Sequence, residues 1–103
     1  MYLVRFAYDV LPVNRDRAAG LIRQEVVAAK ARGLSARLLV PLTRGRGEPA
    51  LEYEVEIPTL DTLDEYRTTA MGSAKKTQDW MHEFSEFLTQ PPAVTVYRLD
   101  EGG

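Results

Sequence analysis

The sequence predicts an α+β fold in which helices cover one face of a four-stranded antiparallel sheet. The strongest observation is residues 51–57, Leu-Glu-Tyr-Glu-Val-Glu-Ile, where apolar and acidic side chains alternate without interruption. Because successive side chains of a strand point to opposite faces, this strand has one apolar and one acidic face. That pattern is typical of an antiparallel sheet with one buried and one polar face. Three further strand patterns and two helical regions accompany it.

The first strand and the first helix are predicted in the N-terminal third. Residues 2–11 alternate as a strand, which Pro12 ends. Its expected core-facing side chains are Val4, Phe6, Tyr8 and Val10. A helix is expected to begin near Arg15 with Asn14 as its N-cap, and Gly33 provides its C-terminal stop. Apolar positions recur at helical spacing within it: Ala18, Ala19, Ile22, Val26 and Ala29.

The middle of the chain predicts two strands joined by a loop. Residues 36–42 alternate, and Pro41 suits an edge strand because proline cannot donate to the hydrogen-bond ladder. Residues 43–49, rich in glycine and arginine, are expected to form a flexible turn. They lead into the alternating strand at 51–57, which Pro58 closes.

The last third predicts a second helical region and a final strand. Thr62 and Glu65 form a capping-box signature, which marks a helix start. A break is expected near Gly72, after which Ser73 caps a second segment. Apolar and aromatic residues follow it at helical spacing: Thr77, Trp80, Met81, Phe84, Phe87 and Leu88. Residues 93–99 alternate as the last strand.

The resulting order is strand, helix, strand, strand, helix, strand. This is the split βαβ arrangement of the ferredoxin-like fold, whose first and third strands lie together, antiparallel, at the centre of the sheet. At 103 residues the chain is expected to form one domain, residues 1–103, with 100–103 as a short tail.

Composition limits the classes of function. The net charge of −2 argues against nucleic acid or an anionic membrane as the main partner. The chain has no cysteine and one histidine, His82, which excludes a thiolate nucleophile and any multi-histidine metal site within one chain. No signal peptide or membrane-spanning apolar run is apparent, so a cytoplasmic protein is expected.

The acidic face of the third strand has basic residues at matching positions. Glu52, Glu54 and Glu56 form a row of carboxylates. In the expected sheet, Arg5 shares this face and Arg37 approaches from the edge strand, so cross-strand ion pairs are the favoured interpretation. A hard-cation site or a carboxylate pair for acid–base chemistry is the alternative.

Six aromatic side chains are expected to converge between sheet and helices: Phe6, Tyr8, Tyr53, Tyr66, Trp80 and Phe84. They could be a filled core, or they could line a cavity for a flat aromatic ligand. Buried tyrosine hydroxyls would need hydrogen-bond partners in either case. The two interpretations stay open at this point.

Two other sets of residues attract functional hypotheses. His82 is a residue type that often acts as a general base, but its helical position lies opposite the Trp80 and Phe84 stripe, which predicts a solvated side chain. Arg44 and Arg46 lie among glycines, where a solvated turn is favoured over a gate for an anionic ligand.

The chain resembles the dimeric α/β-barrel superfamily, and within it the NIPSNAP-like and antibiotic-biosynthesis-monooxygenase-like domains. The resemblance rests on Leu-Val-Arg-Phe at 3–6, Tyr-Glu-Val-Glu at 53–56, Leu-Asp-Glu-Tyr at 63–66, Trp-Met-His-Glu-Phe at 80–84 and Val-Tyr-Arg at 96–98. It implies a homodimer in which two sheets pack face to face, here through the face carrying Arg5, Arg37, Glu52, Glu54 and Glu56. It also implies a small hydrophobic ligand held between sheet and helices.

The leading hypothesis is therefore a small cofactor-independent enzyme that oxygenates or cyclises a hydrophobic aromatic or polyketide-like metabolite. The expected ligand-contacting residues are Phe6, Tyr8, Tyr53, Tyr66, Trp80, Phe84 and Arg98. In the oxygenase form, a tyrosine hydroxyl or Arg98 would stabilise a substrate phenolate; in the cyclase form, the pocket would fold the substrate. A non-catalytic ligand-binding or interaction module is the alternative, because no histidine, cysteine or carboxylate is expected inside the pocket. A haem-binding relative is disfavoured by the outward position of His82.

Overall fold

The computed structural model describes residues 1–43 and 45–100. It contains four strands, a short 3₁₀ helix at Pro12–Asn14 and three α-helices. The strands are β1 (Tyr2–Tyr8), β2 (Ala36–Leu39), β3 (Leu51–Ile57) and β4 (Ala93–Arg98). The helices are α1 (Arg15–Ala31), α2 (Leu60–Thr69) and α3 (Ala74–Ser85).

The strands form one antiparallel sheet in the order β2-β3-β1-β4. The two central strands are β3 and β1, as the sequence predicts, and Arg5 lies directly opposite Glu54 in their register. β4 adds to the other edge of β1, where Val4 pairs with Val96. The predicted ferredoxin-like α+β fold is confirmed.

The helices lie on the sheet face that carries the apolar alternation. α1 packs against β2 and β3, and α2 packs against β3 and α3. The largest fully buried side chains are Tyr53, Tyr66, Ile22, Leu51, Ile57, Val4 and Val55. The edge strand β4 is less covered: Val94 and Val96 keep 37% and 41% of their surface exposed. The helices therefore close one side of the layer more tightly than the side next to β4.

The break in the second helical region is confirmed. Gly72 has φ +105°, a conformation that residues with a side chain rarely adopt. The Ser73 hydroxyl then accepts a 3.2 Å hydrogen bond from the Lys76 amide and so caps α3. Gly33 likewise ends α1 with φ +79°.

Of the two predicted helix starts, that of α2 is wrong by one turn and that of α1 is confirmed in position. The N-cap of α2 is Thr59, whose hydroxyl accepts from the Thr62 amide, so the helix begins one turn before the predicted capping box. α1 begins at Arg15 with Asn14 at the N-cap position, as predicted, but the Asn14 side chain makes no capping hydrogen bond. The backbone N–H of Asn14 donates to the Leu11 carbonyl in a 3₁₀ turn, so Asn14 has helical rather than extended backbone angles.

Two predicted strands are shorter than expected. β1 stops at Tyr8, and Val10 continues only as an isolated bridge to Leu88. β2 stops at Leu39, two residues before Pro41, whose carbonyl accepts a 3.0 Å hydrogen bond from Arg15 instead of joining the sheet. In the described part of the chain, no helix has the length and apolar character needed to cross a membrane.

Candidate functional site

A cavity of about 360 Å³ lies between the sheet and the helices, on the less covered side next to β4. Side chains from α1, α2, α3, β1, β4 and the α3–β4 connection surround it. Its wall consists of Phe6, Tyr8, Glu25, Tyr66, Arg67, Ala70, Thr77, Trp80, Met81, Phe84, Ser85, Leu88, Pro91, Pro92 and Val94. The wall is thus largely apolar and aromatic, with few polar groups.

The aromatic side chains of the cavity wall are in contact with one another. Tyr8 meets Phe84 edge-on at 4.7 Å between ring centroids, and Phe84 stacks on Trp80 at 5.2 Å. Phe6 lies 6.4 Å from Tyr8 in a parallel orientation. The Trp80 indole N–H donates a 2.9 Å hydrogen bond to the Leu21 carbonyl, which fixes α3 against α1. These contacts fix the positions of the rings.

A buried carboxyl group stands at the same wall. Glu25 of α1 is only 3% exposed. The Tyr66 hydroxyl donates to its Oε1 at 2.8 Å, and the Tyr53 and Tyr66 hydroxyls are 2.6 Å apart. Since the Tyr66 proton is directed at Glu25, the Tyr53 hydroxyl donates to the Tyr66 oxygen. The three residues form a chain of hydrogen bonds that ends on Glu25.

The second carboxyl oxygen of Glu25 has no such partner. Among the described residues, Oε2 is the one buried side-chain oxygen or nitrogen without a hydrogen bond. Burial raises the pKa of Glu25 to about 7, and the hydrogen bond from Tyr66 opposes part of that rise. The carboxyl group can therefore bind or release a proton near neutral pH.

The three buried tyrosines differ from Glu25 in their protonation. Burial raises the pKa values of Tyr8, Tyr53 and Tyr66, and the nearby Glu25 raises them further. Their hydroxyls therefore stay protonated and serve as hydrogen-bond donors rather than as bases. The titratable group of this site is the carboxyl group.

Glu25 was not expected from sequence, and the expectation that no carboxylate lies in the pocket is wrong. A signal was present in the spacing, because Glu25 lies three residues after Ile22 and four before Ala29. Both of those residues are fully buried. A helix places residues three and four apart on one face, so this spacing directs Glu25 to the core.

The structure brings together most of the predicted ligand-contacting residues. Five of them line the cavity: Phe6, Tyr8, Tyr66, Trp80 and Phe84. Tyr53 lies behind the wall, fully buried, with its ring 5.8 Å from that of Phe6. Arg98 is exposed at the end of β4 and is not part of the wall.

The opposite face of the sheet carries the predicted charge pairs. Glu54 is 3% exposed and lies between two guanidinium groups, with Arg5 Nε at 2.8 Å from one oxygen and Arg37 Nε at 2.8 Å from the other. Glu52 and Glu56 extend the row, each 3.8 Å from one of these arginines. Within residues 1–43 and 45–100, no three His, Cys, Asp or Glu side chains are grouped so that they could hold a metal ion.

The remaining candidates lie away from the cavity. His82 is exposed and borders an open depression of about 490 Å³ on the outer surface between α2 and α3. Arg46 is exposed in the loop before β3. Arg44 lies outside the described residues.

Comparison with solved structures relates this architecture to known proteins. Rv0793 from Mycobacterium tuberculosis superposes with a TM-score of 0.74 at 22% identity, covering 99% of this chain and 98% of the other. An antibiotic biosynthesis monooxygenase gives 0.72 at 17% identity, covering 97% and 99%. A dimeric ferredoxin-like protein of unknown function from Thermobifida fusca gives 0.68 at 8%, covering 95% and 90%.

No family model matches the sequence, and no curated protein matches it significantly. The likeness therefore rests on structure, over nearly the full length of each chain. The NIPSNAP-like part of the resemblance stays a prediction. The chain has the ferredoxin-like fold of the antibiotic biosynthesis monooxygenase-like proteins, as its sequence predicts.

Proposed function

We propose that this chain is a small enzyme that acts without a cofactor on a hydrophobic aromatic or polyketide-like metabolite, which it oxygenates or cyclises. The observation that carries the proposal is the aromatic-walled cavity of about 360 Å³ between sheet and helices. Pockets that bind small organic molecules are concave, mainly apolar, and carry a few convergent polar groups. Its size is at the lower end of the range for such pockets.

The wall suits a flat ligand. The stacked pair Trp80 and Phe84 presents an apolar surface from α3, and Phe6 faces the cavity from the sheet. Aromatic rings contribute large contact areas with little loss of side-chain freedom, since these contacts already fix them. A planar ligand of a few fused rings therefore fits the shape and chemistry of the cavity.

The two reactions place different demands on the site. In oxygenation, an ionised phenol of the substrate supplies electrons to dioxygen, and the wall excludes water while holding the ring. In cyclisation, the wall folds a flexible substrate so that its reacting atoms approach each other. Both reactions begin from a substrate held with its polar group beside the few polar residues of the wall. The name of one structural relative, an antibiotic biosynthesis monooxygenase, favours oxygenation.

Non-catalytic binding of a small molecule is the second candidate. Its supporting observation is that the Tyr53 and Tyr66 hydroxyls are already engaged in the hydrogen-bond chain to Glu25. These hydroxyls make structural contacts, so the aromatic wall by itself offers a binding surface rather than reactive groups.

We also propose that the chain forms a homodimer through the outer face of the sheet. The face carries the Glu54 cluster together with Tyr97, which is 43% exposed with its ring 5.4 Å below the Arg5 guanidinium carbon. The Thermobifida fusca relative is described as dimeric. We expect sedimentation equilibrium to give twice the chain mass of 11.6 kDa and Tyr97→Glu to shift the protein towards monomer. A wild-type protein of single-chain mass would contradict the dimer.

Oxygen uptake with a set of polycyclic phenols tests the enzyme proposal. Ala70→Leu adds three carbons at the cavity wall, where Ala70 lies, and should abolish uptake. Ala31→Leu makes the same change at an exposed position and should leave it intact. Conversion of the substrate without oxygen uptake would indicate cyclisation. Binding without conversion would indicate the non-catalytic module.

A further inference from the structure

We propose that Glu25 binds the hydroxyl group of the substrate and removes its proton, so that the cavity selects planar aromatic ligands bearing a phenolic or enolic hydroxyl. The inference rests on the proposed function of the cavity and assigns its reactive residue. Three observations carry it: the position of Glu25 in the wall, the single hydrogen bond to its carboxyl group, and its burial.

The free oxygen of Glu25 is the first argument. Oε1 accepts from Tyr66, whereas Oε2 is buried without a partner among the described residues. A buried polar atom without a partner is costly, and protein interiors normally avoid it. Glu25 is part of the cavity wall, so a rotation of its carboxyl group brings this buried oxygen to a ligand that donates a hydrogen bond there.

The apolar surroundings are the second argument. Phe84, Trp80 and Phe6 form much of the remaining wall, and they accept no strong hydrogen bond. The wall also carries the hydroxyls of Tyr8, Thr77 and Ser85, but Glu25 is its one carboxyl group and so the strongest acceptor for a ligand hydroxyl. An ether at the same position on the ligand leaves Oε2 without a donor.

The groups around Glu25 do not take up the ligand proton, so Glu25 is the proton acceptor. Tyr66 from α2, Tyr53 from β3 and Tyr8 from β1 face it, and all three have raised pKa values, so they hold their protons. Arg32 lies over the Tyr66 ring, and Arg67 lines the cavity; a guanidinium group donates hydrogen bonds and accepts none. The α3 residues of the wall, Thr77, Trp80, Met81, Phe84 and Ser85, carry no acid or base.

The proton moves from the ligand hydroxyl to Glu25. The ligand O–H bond breaks, a new O–H bond forms at Glu25 Oε2, and the electron pair stays on the ligand oxygen as phenolate or enolate. The Tyr66 hydroxyl continues to donate to Oε1 throughout. Since burial raises the pKa of Glu25 to about 7, the carboxylate is a stronger base than an exposed one and is present at pH 8.

A matched ligand pair tests the inference. The affinities of 2-naphthol and its methyl ether are measured by calorimetry at pH 5.5 and pH 8 for the wild type, Glu25→Gln and the exposed control Glu65→Gln. In the wild type and the control, we expect the affinity for 2-naphthol relative to that for its methyl ether to be about tenfold higher at pH 8 than at pH 5.5. The reason is that a hydrogen bond to a charged acceptor is stronger than one to a neutral acceptor. In Glu25→Gln the preference should not change with pH.

The outcomes separate the two proposals. If neither ligand binds the wild type, the cavity is not a ligand site and both proposals fail. If both ligands bind, and Glu25→Gln retains the wild-type preference at each pH, Glu25 does not hold the hydroxyl and only this inference fails. For any phenol that is turned over, kcat/KM should rise through about pH 7 in the wild type and lose that rise in Glu25→Gln.

Discussion

The Tyr66 hydroxyl donates a 2.8 Å hydrogen bond to one oxygen of Glu25 and leaves the other oxygen buried without a partner among the described residues. α2 and α1 are thus connected by a buried polar contact. A core of this kind would be more stable with an apolar residue at position 25. Because Glu25 is part of a cavity wall, a functional role is the best account of its unsatisfied oxygen.

Stability should fall as the pH rises through the titration of Glu25. Its pKa is raised from about 4.5 in the unfolded chain to about 7 in the folded protein. Between these values the folded state binds more protons, so the free energy of unfolding decreases with pH, by on the order of 3 kcal/mol across the window. Below about pH 4.5 both states are protonated and this penalty is absent.

Urea denaturation of the wild type and Glu25→Gln at pH 5 and pH 8 measures this effect. Glutamine stays neutral, so the variant should be more stable than the wild type at pH 8, and the difference should shrink at pH 5. Glu65→Gln, at an exposed position, provides the reference. A difference that does not depend on pH would contradict the raised pKa.

Tyr66→Phe should raise the pKa of Glu25 beyond about 7. The hydrogen bond from Tyr66 stabilises the carboxylate, and its loss leaves both oxygens without a donor. Carbon-13 NMR titration of the Glu25 carboxyl carbon measures the shift directly. Tyr53→Phe removes a hydroxyl one step further away and should move the pKa less. Equal shifts in both variants would argue against the order of the hydrogen-bond chain.

Glu54→Gln should destabilise the fold by about 2 kcal/mol or more. Glu54 is buried, and its loss leaves the guanidinium groups of Arg5 and Arg37 without their shared partner. Removing one member of a buried pair costs about 3–5 kcal/mol, and the partial exposure of both arginines reduces that figure. Glu56→Gln, with one 3.8 Å contact, should cost less than about 0.5 kcal/mol by urea denaturation. Equal costs would show that burial of Glu54 adds nothing.

Ser73→Ala should cost about 1 kcal/mol, because the Ser73 hydroxyl caps α3 through the Lys76 amide. Thermal unfolding followed by circular dichroism reports the loss. Ser85→Ala, at the other end of α3, removes only a hydroxyl bonded to the His82 carbonyl and should change stability by less than about 0.5 kcal/mol. A Ser73 variant as stable as the wild type would indicate that backbone contacts alone fix the break.

The alternation of apolar and acidic residues predicted the strand Leu51–Ile57 correctly. Every residue of that strand faces either the buried or the charged side of the sheet, so the pattern is unbroken. The charges predicted that Arg5 shares a face with the glutamate row, and the register of β1 and β3 places it opposite Glu54. The start of α2 was less predictable. Thr59 and Thr62 lie one turn apart, and each carries a hydroxyl that can cap a helix; the direction of the chain after Pro58 selects Thr59. The ends of β1 and β2 were also not predictable from local sequence, because they depend on the elements that lie beside them.

The candidate site was predictable in its aromatic part and not in its polar part. Aromatic residues on the faces of β1 and α3 had to meet once the topology was known. Whether they left a cavity depended on how far the helices cover β4, which no local pattern encodes. Glu25 was overlooked because its residue type favours solvent, although its spacing from Ile22 and Ala29 favours the core.

Fluorescence titration of Trp80, the single tryptophan, with polycyclic phenols tests most directly whether the cavity is a ligand site. We predict saturable quenching at micromolar concentrations in the wild type and in Ala31→Leu, and a loss of at least about tenfold in affinity in Ala70→Leu, whose added carbons fill the site. Equal quenching of all three proteins, or none in the wild type, would contradict the account and identify the aromatic cluster as a packed core.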